Sequence, residues 1–286
     1  MTKQMTQLNK QGMICCGVVI ATLLAIYLPF LQKLVSDWGT NEDYSHGYFI
    51  PVLSAYFIWS MRYQLEKIEV RPNNAGLILI GIGLLQLVVG KVGSELFLQR
   101  TSLILVLIGV ILFLLGWEYF KKLLFPIFYM VFMIPLPAIV WNNIAFPMQL
   151  FSSAITEQVV YLFGIPIFRE GNVLHLPETT LEVVAACSGL RSLMTMFALS
   201  SALAFMSRLN KLGKFIQFTS AAPIAVIANI IRLTGTAILA SRFGPEVAHG
   251  FLHDFSGIVV FVLGLSLLIA VNTLLAGLSF TQQTRY

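Results

Sequence analysis

Three residues in the C-terminal half of this 286-residue chain are of the types that acyl transfer needs. Cys187 lies in Leu181-Glu182-Val183-Val184-Ala185-Ala186-Cys187-Ser188-Gly189-Leu190-Arg191-Ser192, where a polar, charged segment gives way to a long apolar one. A thiolate is the reactive form of cysteine, and a helix opening at that point would favour it through the helix dipole. Taken alone, the residue is equally a small buried hydrophobe, the usual fate of a free Cys. Arg232 follows in Ala228-Asn229-Ile230-Ile231-Arg232-Leu233-Thr234-Gly235. A cation at a membrane boundary commonly snorkels to the surface. Here Asn229, three residues earlier, shares its helical face, and two polar groups on one face of an apolar helix suggest a lined cavity. An arginine there can stabilise a thiolate or an oxyanion forming on a carbonyl. His253, in His249-Gly250-Phe251-Leu252-His253-Asp254-Phe255-Ser256-Gly257, supplies a general base or acid. The alternative for it is an interfacial His beside a capping Asp254.

His249 and His253 have the i, i+4 spacing of a metal pair, but no Glu follows His249 as a metalloprotease helix requires. Cys15, Cys16 and Cys187 form no CxxC pattern. No metal and no cofactor is expected.

The elements that must position these residues are membrane helices. Hydrophobic residues make up 57% of the chain and charged ones 11%, with mean hydropathy +0.83. Soluble domains carry about 25% charged residues. The expected fold is an all-α polytopic membrane protein, a single membrane domain over 1–286. Eight spans are expected at about 13–34, 47–61, 75–93, 101–117, 123–141, 188–206, 214–231 and 256–278, the fifth broken by prolines, since a span needs roughly 20 apolar residues. A partly structured outer loop is expected over about 142–187, with an amphipathic helix near Phe146–Phe163 and a small hairpin from Val173–Pro177 and Thr180–Val184. On this placement Arg232 ends the seventh span and His253 precedes the eighth.

The net charge is +5, but Lys and Arg are thinly spread, and no run is dense enough for nucleic acid. Lys3, Lys10, Arg62, Lys67, Arg71, Lys121, Lys122, Arg208, Lys211, Lys214 and Arg285 fall on one side of the expected spans, with only Glu66, Glu69 and Glu118 among the acids. By the positive-inside rule both termini are cytoplasmic, which puts Cys187, Arg232 and His253 at the outer face. The first apolar run follows Lys3 and Lys10 as a signal peptide would, but it lacks a small-residue cleavage site and reads as a retained span.

Three successive spans thus bring a nucleophile, an electrophilic stabiliser and a proton carrier to one membrane face. The blocks Ala186–Ser192, Asn229–Arg232 and His253–Gly257 resemble the three signature blocks of the exosortases, which are similar to archaeosortases and are membrane analogues of the soluble sortases. Asp43-Tyr44-Ser45-His46-Gly47-Tyr48-Phe49-Ile50-Pro51 resembles the early outer-loop block of that family. The resemblance implies a membrane cysteine protease or transpeptidase with Cys187 as nucleophile, His253 as acid/base and Arg232 as transition-state or thiolate partner. It implies substrates that are exported proteins with a C-terminal Pro-Glu-Pro-type motif, one membrane helix and a basic cluster. It also implies a place in the bacterial inner membrane, with a link to exopolysaccharide export.

Arg191, four residues after Cys187, and Arg232 are candidates to hold a substrate carboxylate. Asn229, Asp254 and His46 are further candidates for substrate contact, and His46 is the second choice of histidine. Membrane lipid is the other expected partner. The competing reading is a non-enzymatic transporter or polysaccharide-export component, because spans broken by Gly and Pro occur in transporters. Against it, no inverted repeat is visible. A rhomboid-like serine protease using Ser188 or Ser192 lacks a GxSxG block.

Overall fold

A computed structural model describes residues 2–177, 179–182, 190–244 and 251–283. Within those ranges the side chains of 2–16, 20, 42, 190–192, 251–256 and 279–283 are outside the description. The fold is all-α and polytopic, 81% helical. Among the described residues, five helical stretches are long and apolar enough to cross a membrane: Gly17–Thr40, Ala75–Val92, Leu96–Leu114, Lys211–Phe243 and Gly257–Leu278. There are up to six if Trp117–Met133 and Ala138–Leu162 make one broken span. The expected eight also counts Phe49–Ser60 and Leu190–Met206, which at 12 and 17 residues fall short of the roughly 20 a span needs.

The chain forms two compact units, one of Met1–Asn41 with Gly47–Ile134, the other of Glu42–His46 with Pro135–Tyr286. The first holds α1 (Thr2–Thr40), α2 (Phe49–Ser60), the short α3 (Arg62–Leu65), α4 (Ala75–Val92), α5 (Leu96–Leu114) and α6 (Trp117–Tyr129). Its most extensive packing joins α4 to α5. Gly76, Gly83 and Gly90 recur every seventh residue on the buried side of α4, so the helices touch backbone to backbone. A Cβ at Gly76 would come within 2.4 Å of Phe113 N and 2.5 Å of Gly109 O, neither of which can rotate away. Gly76→Ala is therefore expected to cost about 1–3 kcal/mol by forcing the helices apart. Gly81→Ala, with nothing within 4 Å of its Cβ, is expected to be neutral or slightly stabilising through helix propensity. Thermal unfolding of the detergent-solubilised variants checks the pair; equal melting temperatures would refute close packing at Gly76.

Polar anchors tie α1 and α6 into this unit. Tyr27 Oη and Ser102 Oγ are hydrogen-bonded at 3.0 Å. Arg100, on α5, is ion-paired to Asp37 of α1, with Lys33 3.2 Å from the same carboxylate. Trp38 Nε1 donates to Met133 O at 2.8 Å, and its indole lies where a Cβ on Gly47 would be. Ser54 Oγ donates to the carbonyl of Pro126 at 2.8 Å.

The fifth expected span, 123–141, is not one helix. After α6 a 3-10 turn runs through Met130–Met133, and the chain turns extended at Ile134 and Pro137. Pro135 and Pro137 lack backbone N–H groups and push the preceding residue out of helical conformation, so the break is local chemistry. The second unit begins there: α7 (Ala138–Leu162), then a three-stranded antiparallel sheet of β1 (Phe168–Glu170), β2 (Val173–His175) and β3 (Thr180–Glu182), in that order. The expected hairpin is β2–β3, in the register Leu174↔Leu181. β1 is an added edge strand, and its outward amide at Arg169 is taken by Glu157 Oε1 of α7 at 3.0 Å. Arg169 Nε also meets the other Glu157 oxygen at 3.2 Å.

After the sheet come α8 (Leu190–Met206), α9 (Lys211–Thr219), α10 (Ala221–Phe243) and α11 (Phe251–Gln283). α9 is capped by Asn210, whose Oδ1 accepts from Gly213 N at 2.7 Å.

Candidate active site

The three helices that follow or carry the chemistry-bearing blocks are α8, α10 and α11, and each packs against the other two. Two buried layers fix their register. In one, Gln217 of α9, the helix leading into α10, is wholly buried, donates Nε2 to Leu268 O at 3.2 Å and takes a hydrogen bond from Ser200 on its own carbonyl, so it joins α8 to α11. In the other, a Cβ on Gly264 would meet Met196 Cε at 2.5 Å and Ile224 Cγ2 at 3.9 Å, so α11 approaches α8 and α10 closely there. From the second layer Arg232 lies eight residues along α10 and His253 eleven residues back along α11. At 1.5 Å per residue these are axial distances of about 12 Å and about 16 Å towards the same end of the bundle. Leu190, the first residue of α8, is about 9 Å out in that direction on the same rise.

Two boundaries differ from the expectation. Arg232 does not end its helix, since α10 continues to Phe243 and closes on Gly244 at φ 90°. Arginine is a good helix former, and Leu233 to Ala240 keeps enough apolar surface to pack, so one cation does not stop the helix. His253 lies ahead of the span Gly257–Leu278, but α11 itself starts earlier, at Phe251, so His253 and Asp254 sit in its first turn. Their side chains, and that of Arg191 in the first turn of α8, lie outside the described residues, as does the whole of Cys187.

Arg232 is half-buried, and its Nη2 donates to Asn229 Oδ1 at 3.1 Å. The shared face inferred for these two residues is thus a direct hydrogen bond. The sheet lies against the same part of α10. Leu174 and Leu233, next to Arg232, form one buried cluster with Leu181 and Ile167. Val160, Leu176 and Ala237 form the adjoining one.

His46 lies in the 3-10 segment Glu42–Tyr48 and is in the same unit as Arg232. Its ring is 6.2 Å from that of Tyr44. Tyr44 is buried against Trp141, and its Oη accepts from Leu136 N at 3.1 Å. Burial pushes the Tyr44 hydroxyl above its usual range, so it remains a neutral hydrogen-bonding group. No His, Cys, Asp or Glu cluster suited to a metal occurs among the described residues.

Sequence reasoning missed the inner face of α7. The buried residues of that helix are Trp141, Ala145, Gln149, Ser152, Ser153, Thr156 and Val160, while Phe146, Phe151, Tyr161 and Leu162 are exposed. This is polar-in, apolar-out amphipathicity, the opposite of a soluble helix. The three-to-four-residue spacing of Gln149, Ser152, Ser153 and Thr156 was the available signal.

Residues 38–270 match the transmembrane exosortase family. The chain belongs to that family. No curated protein and no solved structure matches it. Exosortases act on exported proteins that carry C-terminal sorting signals. The matched stretch contains every candidate residue of this exosortase-family chain, from His46 to Asp254, and leaves out most of α1.

Proposed function

We propose that this multi-pass membrane protein is a cysteine protease or transpeptidase that cleaves the C-terminal sorting signal of exported proteins. In this reading the Cys187 thiolate attacks the scissile carbonyl, and Arg232 stabilises the thiolate and then the oxyanion. His253 protonates the leaving amine, giving a thioester and a released membrane tail. Water or an acceptor amine then attacks the thioester, His253 takes its proton, and the thiol is restored. Arg191 and Asp254 flank this chemistry as contacts for the substrate motif, with His46 beside them. The whole chain acts as one membrane domain of the bacterial inner membrane, with cytoplasmic termini and a periplasmic site, serving export linked to exopolysaccharide.

The observation that carries the reading is the convergence of α8, α10 and α11 at one end of a packed bundle. Arg232 and His253 stand within a few ångströms of one height. Leu181, packed beside Leu233, is six residues before Cys187, a chain length that spans at most about 20 Å. In this reading the thiol meets Arg232 within that reach. Alkylation by a limiting amount of iodoacetamide, read by peptide mass spectrometry, tests this. Cys187 should be modified in preference to Cys15 and Cys16 at neutral pH, and Arg232→Gln should slow its modification about tenfold, the loss expected if the thiol pKa rises by about one unit. Equal labelling of the three cysteines would refute the proposal.

A further inference from the structure

Among the described residues of the second unit, the buried polar atoms with no hydrogen-bond partner include Ser152 Oγ and Thr156 Oγ1 on α7, and Asn229 Nδ2 and Thr234 Oγ1 on α10. Ser152, Thr156 and Asn229 are 0% exposed and Thr234 is 9% exposed. Ser and Thr hydroxyls inside helices commonly bond a carbonyl one turn back. Ser201 does so to Ala198 O at 2.9 Å, and Thr219 to Phe215 O at 3.0 Å. The two hydroxyls on α7 therefore do not follow the local habit of this chain.

The unmatched atoms share one seam. α7 packs on α10 and on β2, and Leu174 of β2 and Leu176 just after it cluster with residues of α10, which relates the registers of the two helices. Ser153 Oγ donates to Gly171 O at 3.1 Å, just before β2 begins. Leu174 then packs with Leu233, and Leu176, two residues on, clusters with Val160 and Ala237. Along β2, α7 thus advances from Ser153 to Val160 while α10 advances from Leu233 to Ala237, so the two helices run in the same direction. With Val160 level with Ala237, one step of four residues, about 6 Å, puts Thr156 beside Leu233 and Thr234. A second step puts Ser152 beside Asn229.

We propose that the α7–α10 seam binds ordered water, and that this water acts through Asn229 to position Arg232. The groups suit such a ligand: an amide donor and hydroxyls that both donate and accept, buried and close enough for one or two waters to bridge them. Asn229 has two ends. Its Oδ1 accepts from Arg232, which leaves Nδ2 as the buried, unmatched donor. A water accepting from Nδ2 locks the amide in that orientation; the flipped amide would aim donors at the guanidinium. Asn229 is then a positioning residue for Arg232 rather than a substrate contact. Water binding is independent of the reaction, whereas the positioning role rests on the part given to Arg232 above.

Two measurements on the purified full-length protein separate these parts. In thermal unfolding, Ser152→Ala/Thr156→Val removes the hydroxyls with little change in shape and should lower the melting temperature by roughly 3 °C, because the water leaves and the Asn229 amide is orphaned. Ser152→Thr/Thr156→Ser should restore it. Adding Asn229→Leu to the double variant should bring no loss beyond that of Asn229→Leu alone. A rise in melting temperature in the double variant, or strictly additive losses, would overturn the water site, since unpartnered hydroxyls stabilise when removed. In the second measurement, iodoacetamide alkylation of Cys187 is followed across pH. The double variant should slow it about tenfold near neutral pH and leave the rate unchanged once the thiol is fully ionised. Coupled melting shifts with an unchanged pH profile would overturn the positioning role alone. Failure of the wild-type protein to label Cys187 preferentially would count against the proposed reaction and leave the melting result standing.

Discussion

Cys187→Ala is expected to abolish processing of a co-expressed exported substrate with a Pro-Glu-Pro-type tail, a loss on the order of 10³-fold or more. The protein should still fold and insert. The thiol is proposed to supply the attacking electron pair, and no neighbouring group takes over bond formation. Cys187→Ser should be nearly as inactive, because a hydroxyl is a far weaker nucleophile without a strong base. His253→Ala should fall in the same class, and His46→Ala should keep most of its activity. Immunoblotting for the shortened substrate reads all four variants. Normal processing by Cys187→Ala would refute the mechanism, and activity in His253→Ala alongside its loss in His46→Ala would transfer the acid/base role to His46. The structure gives a reason to run the second comparison. His46 is held in the same unit as Arg232, its ring against Tyr44, which is itself buried on Trp141.

The largest expected effect on stability is at Asp37. Its partner Arg100 lies inside α5 with its side chain 4% exposed, against 20% for Asp37. Asp37→Ala would leave that guanidinium buried without a counter-charge, which typically costs about 3–5 kcal/mol. Arg100→Met should cost less, because Asp37 is nearer solvent and keeps Lys33 at 3.2 Å. The double variant Asp37→Ala/Arg100→Met should recover most of the loss by removing both charges. Lys33→Ala should change stability by less than about 1 kcal/mol, since that ammonium is 58% exposed. Thermal unfolding in detergent ranks the four. A double variant as unstable as Asp37→Ala would show that the pair does not act as a unit.

Composition alone determined the class of this protein, because a chain that is 57% hydrophobic and 11% charged has no other place to fold than a membrane. Local chemistry also fixed the break at Pro135 and Pro137 and the β2–β3 hairpin, since backbone restriction and strand alternation act over a few residues. The order of the Cys187, Arg232 and His253 blocks was legible, and so was the shared face of Asn229 and Arg232, a matter of helical period.

Tertiary structure decided what local pattern could not. Hydropathy ended a span at Arg232, but α10 runs on to Phe243, because packing against α7 and the sheet covers the residues beyond the cation. The same pattern read part of α7 as an amphipathic helix, but packing decided which face is covered: Gln149, Ser152, Ser153 and Thr156 are buried, and Val160 clusters with Ala237, 77 positions on in the sequence. Asp37 and Arg100 are 63 residues apart, and only the packing of α1 on α5 pairs them. The physical reason is common to all three. The energy of a polar group in an apolar medium depends on which group it meets, and that is set by contacts distant in sequence rather than by its neighbours along the chain.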